Sequence, residues 1–372
     1  MQLQLSCDSR GWHARRKGTH IMKNRKVQML LQAGLAMAVP ALLPWAPVSS
    51  LVISTASTHL SPTAQSSTAH SASILPSAWK NLGAPHHIYP FGQTAAYYRW
   101  HLKNGNVANL VVVDLSKGQW RLRTVINGSL TNVAKTAQSY GASIAVNGGF
   151  FDTRNGDSVG YVIDQGDVVG GPHKAKNLIA NHSLKTALPA IFNRSELREI
   201  VSRDGSRQLV VAPHGVPALG DGTTIEESLQ AGPQLLPSYA PQKEGFIRRG
   251  KKGRLVDSIS TSAPEARTAI GITSDGKLLL LTVANPAKGP DGAGLTLVQL
   301  SALLKSVGAV QALNLDGGSS TTMYLQLQDS TGHAHGTVVS GSRIARRVKS
   351  VLLLQPMPRT TDQQVAAAAS AR

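Results

Sequence analysis

Cysteine is nearly absent: Cys7 is the only one among 372 residues. A lone thiol makes no intrachain disulfide and no multi-thiolate zinc cluster, so neither staple is available to this chain. Acidic residues are also few, 20 Asp and Glu against 38 Lys and Arg, which leaves a formal net charge of +18. A third of that excess falls in the first 26 residues, where Arg10, Arg15, Arg16, Lys17, Lys23, Arg25 and Lys26 face Asp8 alone. The remaining excess favours anionic partners such as phosphate-bearing glycans or acidic head groups, or serves solubility alone. Aromatic residues make up only 5%. The basic run Lys243, Arg248, Arg249, Lys251, Lys252 and Arg254 is poor in interleaved rings, which argues against single-stranded nucleic acid. What is present is an ordinary apolar fraction of 41% and 35 glycines, the composition of a turn-rich globular protein.

The N-terminus reads as an address. Met22 is followed by Lys23, Arg25 and Lys26, and then by Val27 to Ala46, apolar apart from Gln28 and Gln32. A charged segment before an apolar run is the pattern of a secretory signal. Pro40 and Pro44 interrupt that run and weigh against a permanent membrane helix, leaving an uncleaved anchor as the second option. The polar leader 1–21 is foreign to such a signal, so Met22 is the expected start. The chain is expected to be exported, periplasmic or extracellular, with a membrane role only if the segment stays uncleaved.

Four regions follow: 1–48 as extension and signal peptide or anchor, 49–94 as a Ser/Thr/Ala-rich linker, 95–356 as the folded domain, and 357–372 as a disordered tail. The folded part predicts an α/β (α+β) fold, a single mixed-sheet domain with flanking helices. Strands are expected at Leu110–Leu115, Trp120–Ile126, Ser143–Val146 and Val310–Leu315. A helix is expected over Thr131–Tyr140 with Thr131 as its cap. Hairpins are expected around Gln165-Gly166 and Ser274-Asp275-Gly276. The clearest helix is Leu297–Val307: Leu297, Leu300, Leu303, Leu304 and Val307 share a face, Thr296 and Gln299 form a capping box, and Gly308 ends it. No internal repeat is present.

Three segments carry chemistry-bearing residues. Asn147-Gly148-Gly149-Phe150-Phe151-Asp152 follows a strand. Paired glycines there can turn backbone N–H groups toward an anion, or they mark a tight turn with two core phenylalanines. Asn314-Leu315-Asp316-Gly317-Gly318-Ser319-Ser320-Thr321-Thr322-Met323 places an aspartate at a strand end, where α/β sheets put functional groups. Asp316 can bind a metal, orient a sugar hydroxyl or act as a base, while Ser319, Ser320 and Thr321 can donate to phosphate oxygens. An Asp-Gly hairpin turn is the plainer alternative. No Gly-Lys-Ser/Thr follows, so this is not a nucleotide-binding loop, and it is not a Gly-x-Ser-x-Gly elbow. The third segment is Arg267-Thr268-Ala269-Ile270-Gly271. Arg267 can fork onto a phosphate or carboxylate, or stand as a surface arginine at a strand end.

In this order the three segments resemble the phosphodiester glycosidase domain family. Gly160-Tyr161-Val162-Ile163 with Gly166 is similar to the hairpin after its first motif. Gly232-Pro233-Gln234-Leu235 resembles its Gly-Gly-Pro-x-Leu, with Ala231 for the first glycine. Arg267 to Gly271 matches its Arg-Thr-Ala-Ile-Gly, Asn314 to Met323 its Asp-Gly-Gly stretch, with Ser319 where a third glycine is usual. Arg346-Arg347-Val348 stands where the family closes. The resemblance runs from about residue 105 to about residue 355.

It implies a hydrolase that cleaves a sugar from a sugar-1-phosphodiester in an envelope or extracellular glycan. Arg267 and the amides of Gly148, Gly149, Gly317 and Gly318 then hold phosphate. Asp316 or Asp152 stabilises the oxocarbenium-like state or activates water. Asn147 and Asn314 bind sugar hydroxyls or hold the loops. A divalent metal on Asp316 is compatible with this chemistry, although no ligand cluster demands one. The expected partner is a phosphorylated glycan, with no nucleic acid. The alternatives are a non-catalytic phosphoglycan-binding module and a hydrolase cutting the phosphate side. His333 and His335 form a His-x-His that reads as a solvated loop before a metal site. The basic run 243–254 either guides an anionic glycan or is a solvated hairpin.

Overall fold

A computed structural model describes residues 82–217, 220, 222–288, 294–340 and 346–358. The signal or anchor segment, the Met22 start and most of the linker expected from the sequence lie outside these residues, as does the tail beyond residue 358. Among the described residues no helix is long and apolar enough to cross a membrane.

β-Branched and leucine-rich runs bounded by glycines and short turns make strand the commonest regular structure among the described residues. In chain order the elements begin with β1 (His87–Pro90), β2 (Ala95–His101), β3 (Val107–Val113), β4 (Trp120–Asn132), α1 (Val133–Ser139) and β5 (Ile144–Asn147). Next come β6 (Val162–Asp164), β7 (Asp167–Gly170), α2 (Lys176–Ile179), α3 (Leu188–Phe192), β8 (Ser195–Val201), β9 (Arg207–Pro213) and β10 (Thr224–Gln230). They continue through β11 (Gln234–Leu236), β12 (Ile247–Arg249), β13 (Leu255–Asp257), β14 (Arg267–Thr273) and β15 (Leu278–Ala284). The last are α4 (Leu297–Ser306), β16 (Ala309–Asn314), β17 (Met323–Gln328), β18 (Ala334–Ser340) and β19 (Arg347–Pro356).

A seven-stranded sheet has the order β1-β2-β3-β15-β14-β16-β11, and two five-stranded sheets the orders β18-β17-β5-β19-β4 and β7-β6-β10-β8-β9. β12 and β13 pair with each other as a two-stranded sheet. The α+β reading therefore holds, with strand far outweighing helix, and the ladders described are antiparallel. In the seven-stranded sheet, β3 is buried along its whole length and β15 nearly so. A strand covered on both faces needs apolar residues at successive positions, which is why the runs Leu110–Val113 and Leu278–Leu281 do not alternate with polar residues. α4 lays Leu297, Leu300, Leu303 and Leu304 into the core beside β11 and β16. Burial of each such leucine stabilises the fold by roughly 2 kcal/mol. Its capping box is complete: Thr296 Oγ1 accepts from Gln299 N–H at 3.2 Å, and the Gln299 side chain accepts from Thr296 N–H at 3.0 Å.

Some boundaries differ from expectation for local reasons. The seven-stranded sheet starts at His87, inside the stretch assigned to linker, because β1 pairs with β2 from His87↔Arg99 to Pro90↔Ala96. The first helix starts at Val133 rather than Thr131, since Thr131 still pairs with Val348 in the β4–β19 ladder. Its cap is Asn132, whose side-chain oxygen accepts from Lys135 N–H at 2.8 Å. Both hairpins form where expected, with Gln165 and Gly166 at φ 54° and 85° and Gly276 at φ 81°.

Candidate active site

β5 lies in one sheet and β16 in another, yet the loops that leave them lock together. Asn147 Nδ2 donates to the Asp316 carbonyl at 2.7 Å, and Asp316 N–H donates to the Gly148 carbonyl at 3.2 Å. Asn147 Oδ1 accepts from the Thr268 hydroxyl at 2.7 Å and from Thr322 N–H at 3.0 Å. Leu315 N–H donates to the Thr268 carbonyl at 2.9 Å. A single buried amide thus ties the first, second and third segments into one knot, and every donor and acceptor in it is taken from water only because it finds a partner.

This geometry corrects several expected roles. The glycine amides do not form an anion nest. Gly148 N–H donates to the Ser350 carbonyl at 2.8 Å, Gly149 N–H to Ser350 Oγ at 3.0 Å, Gly317 N–H to Asp316 Oδ1 at 3.0 Å and Gly318 N–H to the Ala266 carbonyl at 2.7 Å. The first two glycines are required by close approach. A Cβ on Gly148 would lie 2.5 Å from Ser350 Oγ, and one on Gly149 2.6 Å from the Gln230 carbonyl oxygen. Asn147, fully buried, takes the loop-holding role, one of the two expected for it.

Arg267 is corrected as well. Adjacent residues of a strand face opposite sides, so with Thr268 turned to Asn147 the Arg267 side chain points the other way. Its Nε donates to the Leu295 carbonyl at 2.9 Å and Nη1 to Ile259 at 3.0 Å. Nη2 donates to the carbonyls of Ser260 at 2.6 Å and Ala263 at 2.9 Å. The guanidinium is fully buried. Four of its five N–H groups are committed to backbone, which leaves no fork for phosphate. Its work is to clamp the loop 259–263, one wall of a cavity of about 360 Å³.

The two aspartates differ. Asp152 is buried, and both its oxygens are engaged: Oδ1 by Arg154 N–H at 2.9 Å and Oδ2 by Asn177 Nδ2 at 2.7 Å, with the Arg154 guanidinium at 3.3 Å. Burial pushes its carboxyl up, but the Arg154 and Asn177 bonds outweigh this and hold it below the usual carboxylate range. Asp316 is also buried, at the end of β16, beside Gly317. Along the same loop, Asn314 Oδ1, Ser320 Oγ and Thr321 Oγ1 are buried without a partner among the described residues. Asn314 Nδ2 donates to the Gly232 carbonyl at 2.9 Å, and Ser319 is partly exposed.

Several residues of this region carried little signal in the sequence. Ser350 is a buried hydroxyl between Lys349 and the apolar run Val351–Leu354, and nothing in that pattern marked it. Gln230 holds the Tyr161 backbone and the carbonyls of Phe192 and Arg194. Arg194 stacks 3.8 Å over the Phe246 ring, near Phe150 of the glycine segment. Burial pushes it down to about 9, and its Nη1 and Nη2 have no partner among the described residues. Glu244 accepts from Gln234 N–H at 2.7 Å and Ser195 N–H at 3.1 Å. Burial raises its pKa against those bonds and Arg194.

Among the described residues no group of three or more His, Cys, Asp or Glu side chains gathers to hold a metal. His333 Nδ1 is 2.7 Å from Thr331 Oγ1 in an exposed turn. Most of the basic run lies on the β12–β13 hairpin, where Arg249, Lys252 and Arg254 are exposed and Arg248 is half-buried.

A family model described as phosphodiester glycosidase matches residues 140–355, more than half of the chain. The N-acetylglucosamine-1-phosphodiester alpha-N-acetylglucosaminidase of Bos taurus is 28% identical over 193 residues, 52% of this chain and 33% of that protein. Its Mus musculus counterpart is 28% identical over 196 residues, 52% and 34%. The chain spans about a third of the length of these curated relatives. Among solved structures, a zebrafish catalytic domain of the same enzyme, auto-inhibited by its pro-peptide, aligns with a TM-score of 0.49 at 20% identity, over 73% of this chain and 83% of that one. A putative exported protein from Burkholderia pseudomallei aligns with a TM-score of 0.45 at 15% identity, over 70% and 74%.

Proposed function

On the premise that this chain belongs to the phosphodiester glycosidase family, we propose that it hydrolyses the glycosidic bond of a sugar-1-phosphodiester in an envelope or extracellular glycan. The curated relatives are named for N-acetylglucosamine-1-phosphodiester, and that sugar is the first substrate to try. The observation that carries the reading is Asp316 at the end of β16, in one loop with three buried oxygens that lack a described partner. An unpartnered buried oxygen costs roughly 1–3 kcal/mol, so such a set favours a guest that supplies hydroxyl donors.

In the proposed reaction the bond between the anomeric carbon and the phosphate oxygen breaks. The phosphate departs as a monoester, and water adds to the carbon and gives its proton to Asp316. Asp152, held by Arg154 and Asn177, is a positioning acid, and Arg154, whose side chain is 45% exposed, is the guanidinium of this segment that reaches solvent to meet phosphate. The basic, apolar segment after Met22 supports export.

The test is hydrolysis in ¹⁸O-water. Label in the released sugar supports glycosidic cleavage, and label in the phosphate shows cleavage on the phosphorus side. Asp316→Asn is expected to lower kcat by about 100-fold or more. Binding without turnover, or full activity in that variant, overturns the reading.

A further inference from the structure

The hairpin of β12 and β13 stands apart from the three larger sheets, because its strands pair with each other alone. The register sets Arg249 opposite Leu255 and Arg248 opposite Val256. The turn between the strands is closed by its own backbone: Gly250 N–H donates to the Arg254 carbonyl at 2.7 Å, and Gly253 N–H to the Gly250 carbonyl at 3.2 Å. Lys252 and Gly253 are both left-handed, at φ 57° and 73°. Arg249, Lys252 and Arg254 are exposed, and Arg249 Nη1 reaches back to the Gly253 carbonyl at 3.3 Å. No ion pair among the described residues neutralises any of the three. The acids at the root are turned inward. Glu244 accepts from the N–H groups of Gln234 and Ser195, and Asp257 from those of Ile259 and Thr261. Three uncompensated cations on one small turn repel each other, and an anion relieves that repulsion.

The root of the hairpin leads back to the candidate site. Gly232 fits against the Glu244 carboxylate and the Phe246 ring, where a Cβ would meet both. Gly232 exchanges two bonds with Asn314: its N–H donates to the Asn314 carbonyl and its carbonyl accepts from Asn314 Nδ2, each at 2.9 Å. Asn314 ends β16, just before Asp316. The hairpin therefore leaves from beside the reacting loop. Extended backbone at about 3.3 Å per residue carries Gly250 about 13 Å from Phe246, and Lys252 lies past it. Exposed charges are largely screened beyond about 8 Å at physiological salt. The tip is thus placed for a second anion rather than for the one beside its root. What the tip lacks narrows that partner. No aromatic residue lies in the hairpin, so it has no ring on which to stack a base. Leu255 is strongly exposed, but no Trp, Tyr or Phe joins it to seat the hairpin in a lipid interface. What remains is a polyanion held by charge.

We propose that the β12–β13 hairpin is a docking arm for a polyanionic glycan, a chain whose successive units are joined by phosphodiesters. Arg249, Lys252 and Arg254 hold phosphates of units next to the one being cleaved. The assignment rests on the proposed hydrolysis for the identity of the substrate, not for the binding of the anion. It makes the preferred substrate a polymer in place of a single sugar-1-phosphodiester.

Two measurements on the full chain test it. The first is titration with fluorescent poly(glycerol phosphate), which carries phosphodiesters but no glycosidic bond, so that binding is read without turnover. For three phosphate contacts, log K should fall against log salt with a slope of about −2. The combined variant Arg249→Ser, Lys252→Ser, Arg254→Ser should bind at least about tenfold more weakly. All three side chains are exposed, so the fold is spared. The charge-keeping set Arg249→Lys, Lys252→Arg, Arg254→Lys should bind as the parent does. Absence of binding, a flat salt dependence, or binding that survives the serine variant overturns the proposal. Tighter binding to phosphatidylglycerol vesicles or to single-stranded DNA than to the polymer also overturns it. The second measurement compares a polymer of sugar-1-phosphodiester units with the methyl diester of one sugar 1-phosphate. The serine variant should raise KM for the polymer about tenfold and leave kcat, and KM for the methyl diester, unchanged. Equal effects on both substrates overturn the proposal. Polymer binding through the hairpin in a chain that releases sugar from neither substrate would remove the proposed hydrolysis and leave the docking arm standing. Sugar release from both without hairpin-dependent binding would do the reverse.

Discussion

Arg267 and Thr268 are neighbours in β14 and do opposite things. Thr268 faces the knot, where its hydroxyl and carbonyl join the loops after β5 and β16. Arg267 faces the cavity loop and holds four of its carbonyls. One residue step along a strand reverses the face. A motif that reads as one functional unit is therefore two devices, one that assembles the reacting loop and one that braces a wall beside it.

That contrast can be broken experimentally. The largest effect is expected from Asn147→Ala, which strips partners from Asp316 O, Thr322 N–H and the Thr268 hydroxyl at once. A loss of about 3–5 kcal/mol in denaturant unfolding, together with loss of activity, is expected. A loss below 1 kcal/mol would show that the knot is not the link between the sheets. Arg267→Met comes next, at about 2–4 kcal/mol, with faster hydrogen exchange confined to residues 259–263. If Arg267 held substrate phosphate, the same variant would weaken inhibition by inorganic phosphate with no change in that loop, so the two readouts separate clamp from ligand.

Glu227 provides a charge-based contrast to both. It joins β10 to β4, accepting from Thr124 N–H at 2.7 Å and from Gln165 N–H at 3.2 Å. Burial pushes it up to about 7 from 4.5, although those bonds oppose the shift. The native state then holds the proton more tightly than the unfolded chain. Its contribution is greatest below about pH 4.5 and is lost as pH rises to about 7. Glu227→Gln should flatten that decline in a Tm-against-pH series, and an unchanged slope would assign it elsewhere. The smallest effect is that of Thr296→Ala, about 1 kcal/mol from the lost cap of α4. It should lower Tm slightly in a thermal melt, and an unchanged Tm would show that the cap adds nothing to the fold.

Much of this was legible in the sequence where signals were local. The T-x-x-Q box with its leucine face predicted α4, and the Gln165-Gly166 and Asp275-Gly276 turns predicted their hairpins, because caps and left-handed turns depend on a few adjacent residues. The ordered motifs also picked out the segments that meet. What was illegible was the direction of each polar group after they met. Arg267 read as a ligand group because a guanidinium fork is chemically able to bind phosphate, and Asn147 read equally as a sugar ligand or a loop holder; only the neighbours they find inside the fold show those donors already engaged. Ser350, Gln230 and Arg194 had no motif at all, since each acts on residues far away in the chain.

By itself, then, the amino-acid order determined the capped helix, the hairpin turns and the family to which the chain belongs, because these rest on short-range pattern. The tertiary structure alone decided which polar atoms remained for a guest. Burial makes every donor seek the nearest acceptor, and that acceptor is chosen by the packing of sheets whose strands lie scores of residues apart.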